Sequence, residues 1–223
     1  MRAALRVLIA SRDHISTERT AAINALIALL RVVDLGVDAR GSLNTSQITA
    51  IATWRSRTEE LATGVARAEA VRLAKRVRAA DAELSAATRQ MTSLLQTSPA
   101  VGLLDQPGIG PVTAAIAFAA WSHAGRVRSE AAFASLAGVN PIPASSGNTI
   151  RHRINRGGDR RLNRALHMAV VTRMRMDPAT RAYVEKRTTE GRTLREIRRS
   201  LKRYLARQIY RHLQATITVP AGT

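Results

Sequence analysis

Cysteine is missing from the sequence altogether, which excludes disulfide staples and thiolate metal sites and suits a reducing compartment. Aromatic residues make up 3% of the chain, too few for the successive rings on which single-strand-binding platforms stack bases. No apolar run approaches the roughly 18 residues of a spanning helix, and no signal peptide is recognisable after Met1. The expected location is therefore the cytoplasm, with no membrane partner. Acidic residues are scarce: 16 Asp and Glu stand against 35 Lys and Arg, for a net charge of +19 and a pI of ≈ 11.8.

The positive charge is also uneven. Residues 151–213 hold 19 Lys and Arg against 5 Asp and Glu, while residues 1–150 hold 16 against 11. A surplus concentrated this way points to nucleic acid, and so to a nucleoid association, with a membrane surface as the weaker alternative. At 223 residues the chain is long enough for one or two domains. Its richness in Ala, Leu and Arg favours helix. The expected fold is mainly α.

From Leu5 the apolar positions Leu5, Leu8, Ile15, Ala22, Leu26, Leu29 and Val33 form a heptad stripe, with Arg12 and Arg19 at seam positions. Gly36 and Gly41 end it. A short helix is expected over residues 45–55, then a second long one over 57–96 with the seam Ala70, Leu73, Val77, Ala80, Leu84, Ala87, Met91 and Leu94. Together these predict a long antiparallel helical hairpin, a coiled-coil arm over residues 1–98. Its expected role is scaffold or contact between copies, because a seam filled by Ala and Arg is weak in isolation.

Pro99 closes the arm, and a compact helical domain is expected over residues 99–215, with a flexible tail over 216–223. Pro107-Gly108-Ile109-Gly110-Pro111, followed by Val112 to Ala120, reads as a helix-hairpin-helix. Its two glycines permit a tight turn with outward backbone N–H groups, and Pro111 starts the next helix. Gly108, Ile109 and Gly110 are thus candidate phosphate-binding positions; the plainer reading is a Gly-rich connection. Ser129 should cap a helix that ends at Gly138. Asp159 should cap another, Asp177-Pro178 opens a third, and Thr193 caps a last helix with Leu194, Ile197, Leu201, Leu205, Ile209 and Leu213 inward. Arg195, Arg198, Arg199, Lys202, Arg203 and Arg207 line its other face.

Between these helices lies the stretch with the most chemistry in it. Ser145-Ser146-Gly147 follows Pro143 in a loop, and a short β-like segment alternates Ile150, His152 and Ile154 with Arg151, Arg153 and Asn155. Gly157-Gly158 and the helix carrying Arg160, Arg161 and Arg164 come next. Guanidinium forks match paired phosphate oxygens, and a serine held among them could be a phosphate ligand or a nucleophile attacking phosphorus. The alternative is a solvated turn on a basic surface. No general base is evident. The five histidines show no metal spacing, no carboxylate pair has motif spacing, and neither a Walker loop nor a Rossmann fingerprint is present.

The runs 107–111, 133–140, 143–147 and 154–162, continued through 177–183 and 201–207, closely resemble the C-terminal transposase domain of the IS-one-ten family of insertion-sequence transposases, the RNA-guided bridge recombinases. Residues 1–98 likewise resemble that family's connecting coiled coil. The resemblance implies a serine nucleophile that links covalently to DNA, with Ser146 the position carried over and Ser145 the close alternative. Arg151, Arg153, Arg156, Arg160, Arg161, Arg164, Lys202 and Arg203 would bind nucleic acid. It further implies a noncoding guide RNA and a dimer or tetramer built through the arm.

The family's N-terminal RuvC-like domain and its Asp-Glu-Asp-Asp metal set have no counterpart upstream of the arm. Mg²⁺ is thus expected only in that missing half, and no metal site or cofactor in this chain. A full-length transposase or a separate RuvC-like half is the implied partner. Asn155, Arg156 and Asn163 stand where many relatives carry Ser, Lys and Arg. The alternative function is a non-catalytic, nucleic-acid-binding regulatory remnant of such a transposase.

Overall fold

A computed structural model describes residues 1–143 and 152–218, and the fold is mainly α. Helix α1 covers Arg2–Val32, α2 Thr45–Ala52 and α3 Leu61–Gln96. A single 3₁₀ turn at Val101–Leu103 precedes α4 (Pro111–Trp121) and α5 (Glu130–Leu136). Two short strands follow, β1 (Pro141–Pro143) and β2 (His152–Ile154), then α6 (Arg160–Met176), α7 (Pro178–Thr189) and α8 (Leu194–Thr218). No helix among the described residues is long and apolar enough to cross a membrane.

Packing divides the chain into two units, one formed by Ala10–Arg89 and the other by Met1–Ile9 with Gln90–Thr223. In the first, α1 and α3 run antiparallel. Leu26 and Leu30 share a core with Ala66, Ala70, Leu73, Ala74 and Val77, and Ile48 and Ile51 of α2 close its end. Small alanines on α3 let the two helices approach. Partway along, Arg19 Nε donates to Asp81 Oδ1 at 2.5 Å, giving a seam arginine a carboxylate partner. A reciprocal capping box opens α2: the Gln47 amide donates to Asn44 Oδ1, and the Asn44 amide donates to Gln47 Oε1, both at 2.9 Å. Arg67 is buried and forked onto Glu59, and it lies over the Trp54 ring, 5.0 Å from its centroid. That pairing holds the Glu59 carboxyl below its ordinary range.

On α1 the predicted seam residues Leu5, Ala22 and Leu26 are buried, and the row departs from the prediction by one position at Leu8 and Leu29. Ile9 and Leu30 are buried, whereas Leu8 and Leu29 are half-buried. Arg12, Ser16 and Arg19 interrupt the apolar repeat, yet Leu5 and Leu26, like Ile9 and Leu30, stand three whole heptads apart, so the buried row keeps its phase. On α3 it is Leu95 that is buried and Leu94 that is half-buried.

The second unit is built around α4, whose faces are nearly all buried. Leu162, Leu166, Ala169 and Val170 of α6 and Leu205, Ile209 and Leu213 of α8 pack into the same core, as do Leu5, Ile9, Met91 and Leu95. Tyr210 stays in this core by donating its hydroxyl to Val127 O at 2.9 Å. Leu194 departs from the predicted inward row: it is 49% exposed, because the first turn of α8 lies beyond the packed surface that begins at Ile197.

Helix α5 ends in a Schellman turn. Gly138 has φ +65°, the Gly138 amide donates to Ser135 O, and the Val139 amide donates to Ala134 O, both at 2.9 Å. Gly158 crosses directly over it. A Cβ at 158 would lie 2.3 Å from Gly138 N and 2.4 Å from Gly138 Cα, so two backbones touch where no side chain fits. Gly158→Ala is expected to destabilise the protein by about 1–3 kcal/mol in chemical denaturation, through forced backbone shifts. Gly64, inside α3 with open space around its Cα, is the control. Its replacement by Ala should stabilise by about 0.5–1 kcal/mol.

Candidate nucleic-acid interface

The stretch from Asn155 to Asn163 closes the carboxyl end of α5. A helix of this kind leaves its last carbonyls without intrahelical donors, and three side-chain or backbone groups supply them. Asn155 Nδ2 donates to Ser135 O at 3.2 Å, the Asp159 amide to Leu136 O at 2.7 Å, and Asn163 Nδ2 to Ala137 O at 2.7 Å. Asn155 also donates to Asn140 Oδ1 at 2.8 Å and accepts from the Gly157 amide at 2.9 Å. Asp159 in turn caps α6, its Oδ1 accepting from the Arg161 and Leu162 amides at 2.8 and 3.0 Å.

On this frame β1 and β2 pair antiparallel, with Pro141 opposite Ile154, Ile142 opposite Arg153 and Pro143 opposite His152. Residues 144–151 connect the two strands. Ser145, Ser146 and Arg151 fall in that segment and lie outside the described residues. The sequence alternation locates β2; its partner β1 is the Pro-Ile-Pro run, which no alternation signals.

A cleft of ≈ 230 Å³ opens at the base of these strands, between Asn155, Asn163, Arg153, Arg199, Lys202 and Arg203. An adjoining trough along α6 and α8 adds Arg156, Arg160, Arg164 and His167. Lys202 links both. It is half-buried, and its ammonium donates to Asn163 Oδ1 at 2.9 Å. Burial, and then the Arg199 charge, pull its pKa below the ordinary lysine value. His167 is likewise lowered, by burial first and then by Lys202 and Arg198.

No Asp or Glu lines either hollow, and several carboxylates of this unit are committed elsewhere. Glu130 takes Arg207 and Arg211. Asp177 accepts from the Thr180 amide at 2.9 Å, Glu196 from the Thr193 amide at 2.9 Å, and Glu190 pairs with Arg187. No group of three or more His, Asp or Glu side chains converges as a metal site among the described residues.

Of the predicted binding residues, Arg153, Arg156, Arg160, Arg164, Lys202 and Arg203 are thus brought to one connected surface. Arg161, on the exposed side of the first turn of α6, lines neither hollow. Asn155 and Asn163 were not picked out as site residues by the sequence, since amides bonded 15 to 26 positions away leave no local signature. Arg199 and His167 could have been found from helical spacing: each stands three or four residues from another cation of its helix.

Gly108, Ile109 and Gly110 lie apart, on the turn before α4. Gly108 has φ +72° and packs against α6, where a Cβ would lie 2.6 Å from Ala169 O. Arg173 Nε holds the turn by donating to Pro107 O at 2.6 Å. Ile109 is buried, and its amide donates to Gln106 O at 3.1 Å, so it anchors the turn from inside. Gly110 is exposed and is the N-cap of α4, whose first-turn amides remain without intrahelical acceptors.

Fold and cleft together define a small helical domain with a cationic, partly enclosed surface carried on α6 and α8. Residues 101–185 match the sequence model of the Transposase IS116/IS110/IS902 family. The chain is also 32% identical over 123 residues to the Insertion element IS110 uncharacterized 43.6 kDa protein of Streptomyces coelicolor, covering 54% of this chain and 30% of that protein. It is 33% identical over 129 residues to the Insertion element IS900 uncharacterized 42 kDa protein of Mycobacterium paratuberculosis, covering 54% and 31%. The chain therefore spans about a third of the length of these curated relatives.

Lys202 makes the cleft sensitive to alkaline pH. Because its pKa is depressed, its charge is disfavoured in the folded protein below that pKa, and the penalty is relieved as pH rises towards 10.5. An anion seated beside it reverses this balance and draws a proton back. Affinity for pyrophosphate, followed by calorimetry at constant ionic strength, should fall at a lower pH than an ordinary lysine would dictate. Lys202→Arg should move that fall to higher pH.

Proposed function

We propose that this chain supplies the DNA-handling part of a transposase. Residues 99–215 act as the transposase domain, the cleft and trough of α6 and α8 grip the sugar-phosphate backbone, and the 144–151 segment carries the nucleophile. The reading rests on one observation: a cationic cleft with no carboxylate on its wall sits at the base of two strands that bracket Ser145 and Ser146. The match of residues 101–185 to the transposase family model supports it.

In this scheme the Ser146 hydroxyl attacks a phosphodiester, with Ser145 as the alternative. The Oγ–P bond forms, the P–O3′ bond breaks, and the serine proton is lost as the departing 3′-oxygen gains one. The 3′-hydroxyl later attacks the phosphoserine bond and regenerates the serine. Arg153, Arg199, Lys202 and Arg203 stabilise the charge that develops on the phosphoryl oxygens. The turn at Gly108–Gly110 with the start of α4 holds a second stretch of backbone in helix-hairpin-helix fashion.

A guide RNA selects the sites, copies associate through residues 1–98, and a RuvC-like half in a longer protein or a partner chain brings Mg²⁺. Activity is in the cytoplasm, on the nucleoid. A regulatory, non-catalytic role needs the same cleft but no serine chemistry, and the two readings separate experimentally.

With cognate DNA, guide RNA and the RuvC-like half present, Ser146→Ala should abolish the covalent protein–DNA species on denaturing gels while leaving DNA affinity intact. Persistence of that species in both Ser146→Ala and Ser145→Ala would refute the nucleophile assignment. Arg199→Gln and Arg203→Gln should each weaken binding across all sequences. Each should also reduce the slope of log affinity against log salt by about 1, as one phosphate contact is lost.

A further inference from the structure

Seven aromatic residues occur in the whole chain, and their placement is uneven. Phe118, Trp121, Phe133 and Tyr210 are buried in the core of the second unit. Trp54 lies under Arg67 in the first. Tyr204 alone among the described aromatics is more exposed than covered, at 54%.

It is also held in place. Tyr183 of α7 meets it edge to face, with centroids 6.2 Å apart and ring planes at 85°. Tyr183 is itself supported by a cation: the Arg187 guanidinium sits 5.9 Å from its ring centroid. The Tyr183 phenol interacts with Ser200, one turn before Tyr204, and Ser200 lines the cleft together with Arg153, Lys202 and Arg203. A fixed, exposed ring thus stands one helical turn after Ser200, a residue that lines the cationic cleft.

From this juxtaposition we infer that Tyr204 is a stacking position for one unpaired nucleobase of a strand whose phosphates lie in the cleft. The inference rests on the proposed nucleic-acid reading and adds to it a preference for unpaired over duplex nucleic acid. A ring face accepts any base, and stacking of this kind is sequence-tolerant. In a duplex the bases are already stacked on one another, so the ring has nothing to receive. A protein partner fits less well, since Arg203 precedes Tyr204 on the helix and Arg187 lies over the Tyr183 ring that supports it, and such cations attract a polyanion. With so few aromatics the chain has no platform of successive rings; a single base is what one ring can hold.

The test is fluorescence anisotropy of the whole chain with a labelled oligothymidylate and with a duplex of the same length, at fixed salt. Tyr204→Ala should weaken oligothymidylate binding by about 5- to 100-fold, the range for loss of one base–aromatic stack, and leave duplex affinity unchanged. Tyr204→Phe and Tyr204→Trp should retain binding, because the ring and not the hydroxyl makes the contact. Equal losses on both nucleic acids, no loss on either, or a Tyr204→Phe loss as large as that of Tyr204→Ala would each overturn the assignment. So would a change in solution mass in Tyr204→Ala without an effect on the oligonucleotide, which would make the ring a contact between copies. If the wild-type chain binds neither nucleic acid, the broader nucleic-acid reading fails first. Unchanged circular dichroism and thermal midpoint in each variant exclude misfolding, as expected for a side chain this exposed.

Discussion

The backbone contact between Gly138 and Gly158 is the constraint on which the rest of the second unit depends. Two chain segments twenty residues apart meet with no room for a side chain between them, and every group that shapes the cleft is placed relative to that crossing. The end of α5 stays closed because Asn155, Asp159 and Asn163 reach back to three of its carbonyls. The same three residues set where β2 leaves, where α6 begins and where Lys202 finds an acceptor. A helix terminus that would otherwise need water thus becomes the floor of a binding surface.

Electrostatics then determines what that floor can hold. In the basic half of the chain the few acids are spent on structure: Asp159 and Asp177 cap helices, Glu196 closes the first turn of α8, and Glu190 pairs locally. Each such use stabilises a helix end near neutral pH and is lost only when acid protonates the carboxylate. None of them lines the cleft. A half-buried lysine beside arginines carries a desolvation cost that its single amide partner offsets only in part. That cost is relieved by a ligand bearing several negative oxygens, and a nucleic-acid backbone presents them in series.

Local signals in the sequence were easy to read and long-range ones were not. Ser129, Asp159, Asp177 and Thr193 each mark a helix start because a short polar side chain that satisfies first-turn amides is a local device. The alternation around Arg153 marks β2 for the same reason. Its partner stayed hidden because prolines flank Ile142, and a strand bounded by Pro reads as loop. The seam of α1 was misplaced by one position at Leu8 and Leu29, since apolar residues stand both three and four positions after Leu5 and Leu26 and only packing selects Ile9 and Leu30. Asn155 and Asn163 looked like tolerable departures from a family pattern. Their role becomes visible only when α5 and α6 are seen end to end.

The division of labour within the second unit follows from how its parts are anchored. The cations of α6 and α8 ride on helices glued by Leu162, Leu166, Leu205 and Ile209, so their positions are fixed by a buried core. Residues 144–151 are attached through two three-residue strands, one of them edged by prolines that cannot donate to the ladder. Gripping a backbone can therefore be the task of a rigid surface. In the proposed reading, rigid cations would orient the phosphodiester in advance, which is where most of the benefit of positioning a reacting group comes from.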